Sequence, residues 1–129
     1  MSSVTSALSD VAASLSPDEL TKKVDEIKAA GNERFLKGDY TQAKALYTDA
    51  LSLNPNIVAI YSNRAICELK LEQYGLAIAD ATKAIELDAT FAKAYYRRAC
   101  AHLAILDPKA ALPDLKMVMK LDPRNAQVK

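Results

Sequence analysis

Apolar residues recur along the chain at helical spacing. Leu20, Val24, Ile27, Gly31 and Phe35 follow one another at intervals of four and three, a single stripe along one helix. Ser16-Pro17-Asp18-Glu19 stands before that stripe. A serine at the N-cap, a proline at the first helical position and a glutamate at N3 together signal a helix start. The first helix is predicted from about Pro17 to Lys37, where Gly38-Asp39 breaks it. A second is predicted from about Tyr40 to Leu53, ended by Asn54-Pro55-Asn56. Two more pairs follow, at about Val58–Leu71 with Gly75–Leu87, and Phe91–Leu106 with Pro108–Leu121. Asp107 supplies the N-cap of the last helix and Pro123 ends it. Pro113 falls inside that helix. It removes a backbone donor and its ring crowds the Lys109 carbonyl, a cost of ~3 kcal/mol if unrelieved. A bend or a delayed helix start is expected there, on the outer surface. Residues 1–15 are rich in Ser and Ala without apolar periodicity and are expected to form a flexible leader; Arg124 to Lys129 are expected to begin a C-terminal capping helix.

The pattern returns every 34 residues. Gly31, Ala65 and Ala99 are one period apart, as are Ala43, Ala77 and Ala111, and Leu53, Leu87 and Leu121. A 34-residue period resembles the tetratricopeptide repeat (TPR), a helix-turn-helix unit that stacks on copies of itself. Three units are expected within a domain spanning 16–129: 24–57, 58–91 and 92–125. The predicted fold is an all-α, right-handed superhelix with one continuous core, because no unit can bury its apolar face alone.

Composition agrees with helices. The chain has 129 residues, half of them hydrophobic, and only three glycines. That length suits one domain. Formal net charge is +1, so whole-molecule electrostatics selects neither nucleic acid nor an acidic membrane. Two cysteines, Cys67 and Cys100, do not make a disulfide scaffold and are expected to be reduced. No apolar run approaches the ~20 residues needed to span a bilayer, and no secretory signal is present. A cytosolic location, with a nuclear one also open, is the expectation.

Charge becomes informative only when read by repeat position, counting from Val24, Val58 and Ala92. In the first helix of each unit, positions 2, 5, 6, 9 and 13 share one face. Unit one puts Asp25, Lys28, Ala29, Asn32 and Leu36 there. Unit two puts Ala59, Ser62, Asn63, Ile66 and Lys70 there, and unit three Lys93, Tyr96, Arg97, Cys100 and Ala104. Four cations and two amides thus share the strip with one carboxylate. Such a groove suits a ligand with two carboxylates, for instance a peptide ending in aspartate, through charge-assisted bonds. Phe35, Leu69 and Leu103, at position 12, could floor apolar pockets for upstream ligand residues.

These residues resemble a known family. Lys28-x-x-Gly-Asn32, Tyr61-Ser-Asn63-Arg and Lys93-x-x-x-Arg97 are similar to the carboxylate clamp of co-chaperone TPR domains. That resemblance implies that Lys28, Asn32, Asn63, Lys93 and Arg97 grip the terminal aspartate of the Glu-Glu-Val-Asp tail of the 90-kDa heat-shock chaperone, with the 70-kDa one also open. Lys70 would reach an upstream acidic side chain. A narrower resemblance runs from about Asp18 to the last residue. The stretch from Glu72 to Asp88 and Lys93-Ala-Tyr-Tyr-Arg-Arg-Ala99 are similar to the N-terminal domain of the serine/threonine protein phosphatase 5 family. In that family the domain also covers a metal-dependent phosphatase active site, and Glu72 corresponds to the acidic loop residue used for that contact. The catalytic domain's metal-binding motifs are absent from this sequence. The chain is therefore expected to be no enzyme itself, to need no cofactor, and to serve as a targeting and regulatory module.

Other chemistry finds little support. His102 is the sole histidine and falls at a packing position; a zinc site would need more ligands than two cysteines and one histidine supply. No glycine-rich phosphate loop precedes a helix. The tyrosines, Tyr47 among them, fall mostly at repeat packing positions and are read as core. Three alternatives stay open at this point: an adaptor of another co-chaperone (an immunophilin or a chaperone-organising scaffold), a structural scaffold using other faces, and an acidic-lipid or fatty-acid sensor using the same groove.

Overall fold

The computed structural model describes residues 13–124. Six helices carry the fold: α1 Pro17–Leu36, α2 Tyr40–Leu53, α3 Val58–Lys70, α4 Tyr74–Leu87, α5 Ala92–Ala104 and α6 Pro108–Leu121. Each packs against the helix before and after it, and α3 also touches α5. First helices of successive units therefore lie side by side, as stacking of repeats requires. Among the described residues there is no strand. Of the leader expected over 1–15 only residues 13–15 are described, 13 and 14 being helical, and of the capping helix expected from Arg124 only Arg124 is described, in a helical conformation with Pro123; the rest lie outside the described residues.

Local chemistry starts and stops these helices as the residue types dictate. At α1 the Ser16 and Glu19 side chains and backbones satisfy each other, with Glu19 N–H donating to Ser16 Oγ at 3.2 Å and Ser16 N–H to Glu19 Oε1 at 2.9 Å. Asp39 caps α2 by accepting from Gln42 N–H, and Asp107 caps α6 by accepting from Ala110 N–H. Between the two helices of every unit the backbone makes the same turn. Gly38, Glu72 and Leu106, all at position 15, have φ of 80°, 61° and 63°. The next amide in each case, that of Asp39, Gln73 or Asp107, donates back to the carbonyl of Arg34, Glu68 or His102 at 2.8–2.9 Å. This is a left-handed helix stop that glycine adopts freely and that Glu and Leu adopt under strain.

The core is built from small residues where helices cross and large ones between. Ala43, Ala50, Ala65, Ala77, Ala84, Ala99 and Ala111 are all completely buried, and Tyr47, Ile60 and Cys67 are the largest fully buried side chains. The period seen in the sequence is thus a period of burial. Polar braces lock the units together. Arg64 grips Asp80 through two bonds of 2.8 and 2.7 Å and reaches back to Thr48 of the preceding unit at 3.1 Å. Arg98 does the same with Asp114 and Thr82, 34 residues on. Tyr61 and Tyr95 hydroxyls donate to the carbonyls of Pro55 and Ala89, pinning the loops between units.

Helix α6 runs unbroken through Pro113 and starts at Pro108 without delay. The Asp107 cap and the Ala111 N–H bond to Asp107 C=O fix its first turn ahead of the proline. Pro113 and Lys109 are both exposed, so water can serve the carbonyl that the proline leaves without a donor.

Candidate anion-binding groove

The strip read from the sequence comes from α1, α3 and α5. Lys28 is half-buried and Asn32 exposed on α1; Asn63 is half-buried on α3, and Lys70 is exposed as its last residue. On α5, Lys93 is exposed and Arg97 half-buried. A cleft of about 230 Å³ is lined by Asn32, Phe35, Leu36, Tyr47, Asn63, Ile66 and Arg97. Beside it a more polar cleft of about 310 Å³ is lined by Ala92, Lys93, Tyr96, Arg97 and Asp122. Arg97 belongs to both. Two amides and two cations thus converge, while Lys28 and Lys70 line neither cleft. Asp25 and Ala29 line a separate shallow cleft with Asp18, Thr21, Lys22 and Glu26.

Arg97 is the unusual member. Its Nε is buried and has no hydrogen-bond partner among the described residues. Burial depresses its pKa, while Cys100 and Tyr96 push the other way. The nearest aromatic face is Tyr96, 5.7 Å from the guanidinium carbon. Its neighbour in sequence, Arg98, and Arg64, one repeat before Arg98, each hold a carboxylate bidentately. A guanidinium remains charged at any ordinary pH, and a half-buried one without an anion is costly. The arrangement is chemically suited to an acceptor that supplies the missing carboxylate, with Asn32 and Asn63 as neutral hydrogen-bonding groups at its side.

Sequence reasoning assigned Tyr47 to the core. The residue is indeed buried, at 2% exposure, but its hydroxyl donates to Asn32 Oδ1 on the groove. Burial, with a smaller contribution from Cys67, pushes its pKa up to about 12. A packing position on α2 and a groove position on α1 meet only once the unit has folded, so spacing along one helix could not reveal the pair. Gly31, where a Cβ would meet the Tyr47 ring, is the one trace of the pair in the sequence. Glu72 stands apart from the groove, exposed at the α3–α4 turn. Its position is shared with Gly38, but its left-handed conformation is not legible from residue type.

No cluster of three metal-ligating side chains occurs among the described residues. No helix is long and apolar enough to cross a membrane among them. Both cysteines are free, with Cys67 buried.

A sequence model of the tetratricopeptide repeat matches residues 29–57 and 58–91. The first TPR of Spaghetti (RPAP3), solved bound to the HSP90 peptide SRMEEVD, superposes with a TM-score of 0.77 at 30% identity, covering 80% of this chain and 84% of that one. The chain belongs to the tetratricopeptide repeat family. The second TPR domain of human RPAP3, solved with the HSP70 peptide SGPTIEEVD, is a similar match at TM-score 0.79 and 31% identity, covering 84% of this TPR chain and 90% of that one. Human serine/threonine-protein phosphatase 5 is 40% identical over 112 residues, which are 87% of this TPR chain and 22% of the phosphatase. The chain is thus homologous to the N-terminal TPR domain of that enzyme and spans about a fifth of its length; the phosphatase's catalytic part lies outside the matched region.

Proposed function

We propose that the groove binds the acidic C-terminal peptide of the 90-kDa heat-shock chaperone, and of the 70-kDa one, through a carboxylate clamp. Arg97 carries this reading: a half-buried guanidinium with an unpartnered Nε, beside Asn32 and Asn63, awaits an anion. Lys93 adds charge from the adjoining cleft, Lys28 from one turn earlier on α1, and Lys70 serves an upstream acidic side chain. Solved relatives bound to SRMEEVD and SGPTIEEVD support the choice of ligand. Micromolar affinity, about −8 kcal/mol, fits a short tail ordered on binding. Calorimetry with Met-Glu-Glu-Val-Asp as free acid and as C-terminal amide tests it. The free acid is expected to bind at least tenfold better; equal affinity removes the clamp.

A second role rests on the phosphatase homology and on Glu72, exposed on a strained turn away from the groove. We read the domain as the targeting and autoinhibitory module of a serine/threonine phosphatase, with Glu72 against the catalytic domain. Glu72→Ala in a chain extended through that catalytic domain is expected to raise basal phosphatase activity, and an unchanged rate counts against the role. The TPR chain itself takes no cofactor in this reading, and two free cysteines fit a cytosolic or nuclear setting.

A further inference from the structure

Asn32 is exposed on the groove, and an exposed asparagine can present either end of its amide. The two ends differ in consequence. A carboxylate ligand accepts hydrogen bonds, so the NH₂ end attracts it and the carbonyl end repels it. The choice is made beneath the groove. A Cβ built at Gly31 would lie 2.7 Å from Tyr47 Cε1 and 3.0 Å from Cδ1, so the absent side chain lets the ring lie against the α1 backbone. That contact carries the hydroxyl to the very next residue, where it donates to Asn32 Oδ1. With its oxygen held from below, the amide has its two N–H donors left for the cleft shared with Asn63 and Arg97.

We propose that Tyr47 is a positioning residue for ligand recognition: its hydroxyl holds the Asn32 amide with the NH₂ group toward the ligand's carboxylate. This rests on the clamp reading and adds to it a residue that acts by holding another. Burial pushes the phenol's pKa up to about 12, so it keeps the proton that it donates to Asn32 Oδ1. The device is confined to unit one. The residues equivalent to Tyr47 are Ala81 and Leu115, which carry no hydroxyl, and those equivalent to Asn32 are Ile66 and Cys100. The packing contact and the polar contact are also separable, because Tyr47→Phe keeps the ring on Gly31 and removes only the donor.

Calorimetry on the 129-residue chain with free-acid Met-Glu-Glu-Val-Asp tests the assignment, using Tyr47→Phe, Asn32→Ala and the double variant. Tyr47→Phe is expected to weaken binding roughly three- to tenfold, the order expected when one side chain must be fixed on binding. The double variant is expected to bind no more weakly than Asn32→Ala alone. An equal loss from Tyr47→Phe in the Asn32→Ala background overturns the proposal, since the effect would then be structural. Wild-type affinity in Tyr47→Phe overturns it as well, with the clamp intact. Should the wild type itself not prefer the free acid to the amide, the clamp falls and this assignment with it. Side-chain amide NMR of Asn32 gives a readout independent of ligand. The Asn32 NH₂ shifts are expected to be displaced from those of a free amide in the wild type and to move back toward them in Tyr47→Phe; free-amide shifts in the wild type overturn the proposal.

Discussion

Leu106 is 87% exposed and sits at φ 63° in the α5–α6 turn. A β-carbon in the left-handed region costs roughly 1–2 kcal/mol, and the same position in unit one is a glycine. Leu106→Gly is therefore expected to stabilise the domain by about 0.5–1 kcal/mol, the strain relieved less the added freedom of the unfolded chain. Urea denaturation reads this as a higher midpoint at unchanged slope. Glu68 is the other costly residue. It is 2% exposed, its Oε1 has no partner, and its pKa is pushed up to about 8, chiefly by burial and then by its hydrogen bond to Asp80. The Lys44 ammonium 3.5 Å away and Arg64 offset only part of this. The folded state thus holds a proton that the unfolded chain releases near pH 4.5, so this stabilisation is complete below that pH and is lost as pH rises through about 8. Denaturation midpoints are expected to fall between about pH 5 and 8 and to level off above, and Glu68→Gln to flatten that fall. A midpoint as pH-dependent in Glu68→Gln as in the wild type would assign the effect elsewhere.

Helix ends were largely legible, because Ser16, Asp39, Asp107 and the prolines act through local chemistry that spacing alone reveals. What spacing could not reveal are contacts between elements. The Arg98 brace joins α5 to α6 and to α4, and nothing in one helix announces it. The same holds for Tyr47 and Asn32, on α2 and α1. Periodicity puts the proposed clamp residues on α1, α3 and α5, yet of these only Asn32, Asn63, Lys93 and Arg97 line the two clefts; Lys28 and Lys70 line neither. Asp114 is 4% exposed, so Arg98→Ala strands a buried carboxylate. A loss of about 3–5 kcal/mol is expected in chemical denaturation. Arg98→Met with Asp114→Leu is expected to recover most of it, since the desolvation cost leaves with the charges. No recovery would mean that the brace contributes something beyond satisfying itself.

Across the whole molecule, stability and recognition depend on the same stacking but on different faces. One buried cluster joins units one and two to the start of unit three, and each helix packs on the next, so the three units are expected to unfold in one transition. Arg97→Glu alters a groove residue whose Nε has no hydrogen-bond partner among the described residues. Peptide binding is expected to be lost while helicity is retained and stability changes by less than about 2 kcal/mol, below the loss expected for Arg98→Ala. Circular dichroism and calorimetry on one sample separate the two; a collapse of helicity would make Arg97 structural.

The braces also decide which unit could be copied. Arg64 needs Thr48 in the unit before it, and Arg98 needs Thr82. Unit two, 58–91, carries both halves of this key, with Arg64 at position 7 and Thr82 at position 25. Duplicates of it laid in tandem would engage one another. Unit three has Lys116 at position 25, which would meet the next arginine with like charge. For building longer arrays from this protein, the middle repeat is the self-compatible cassette and the last one is a terminus.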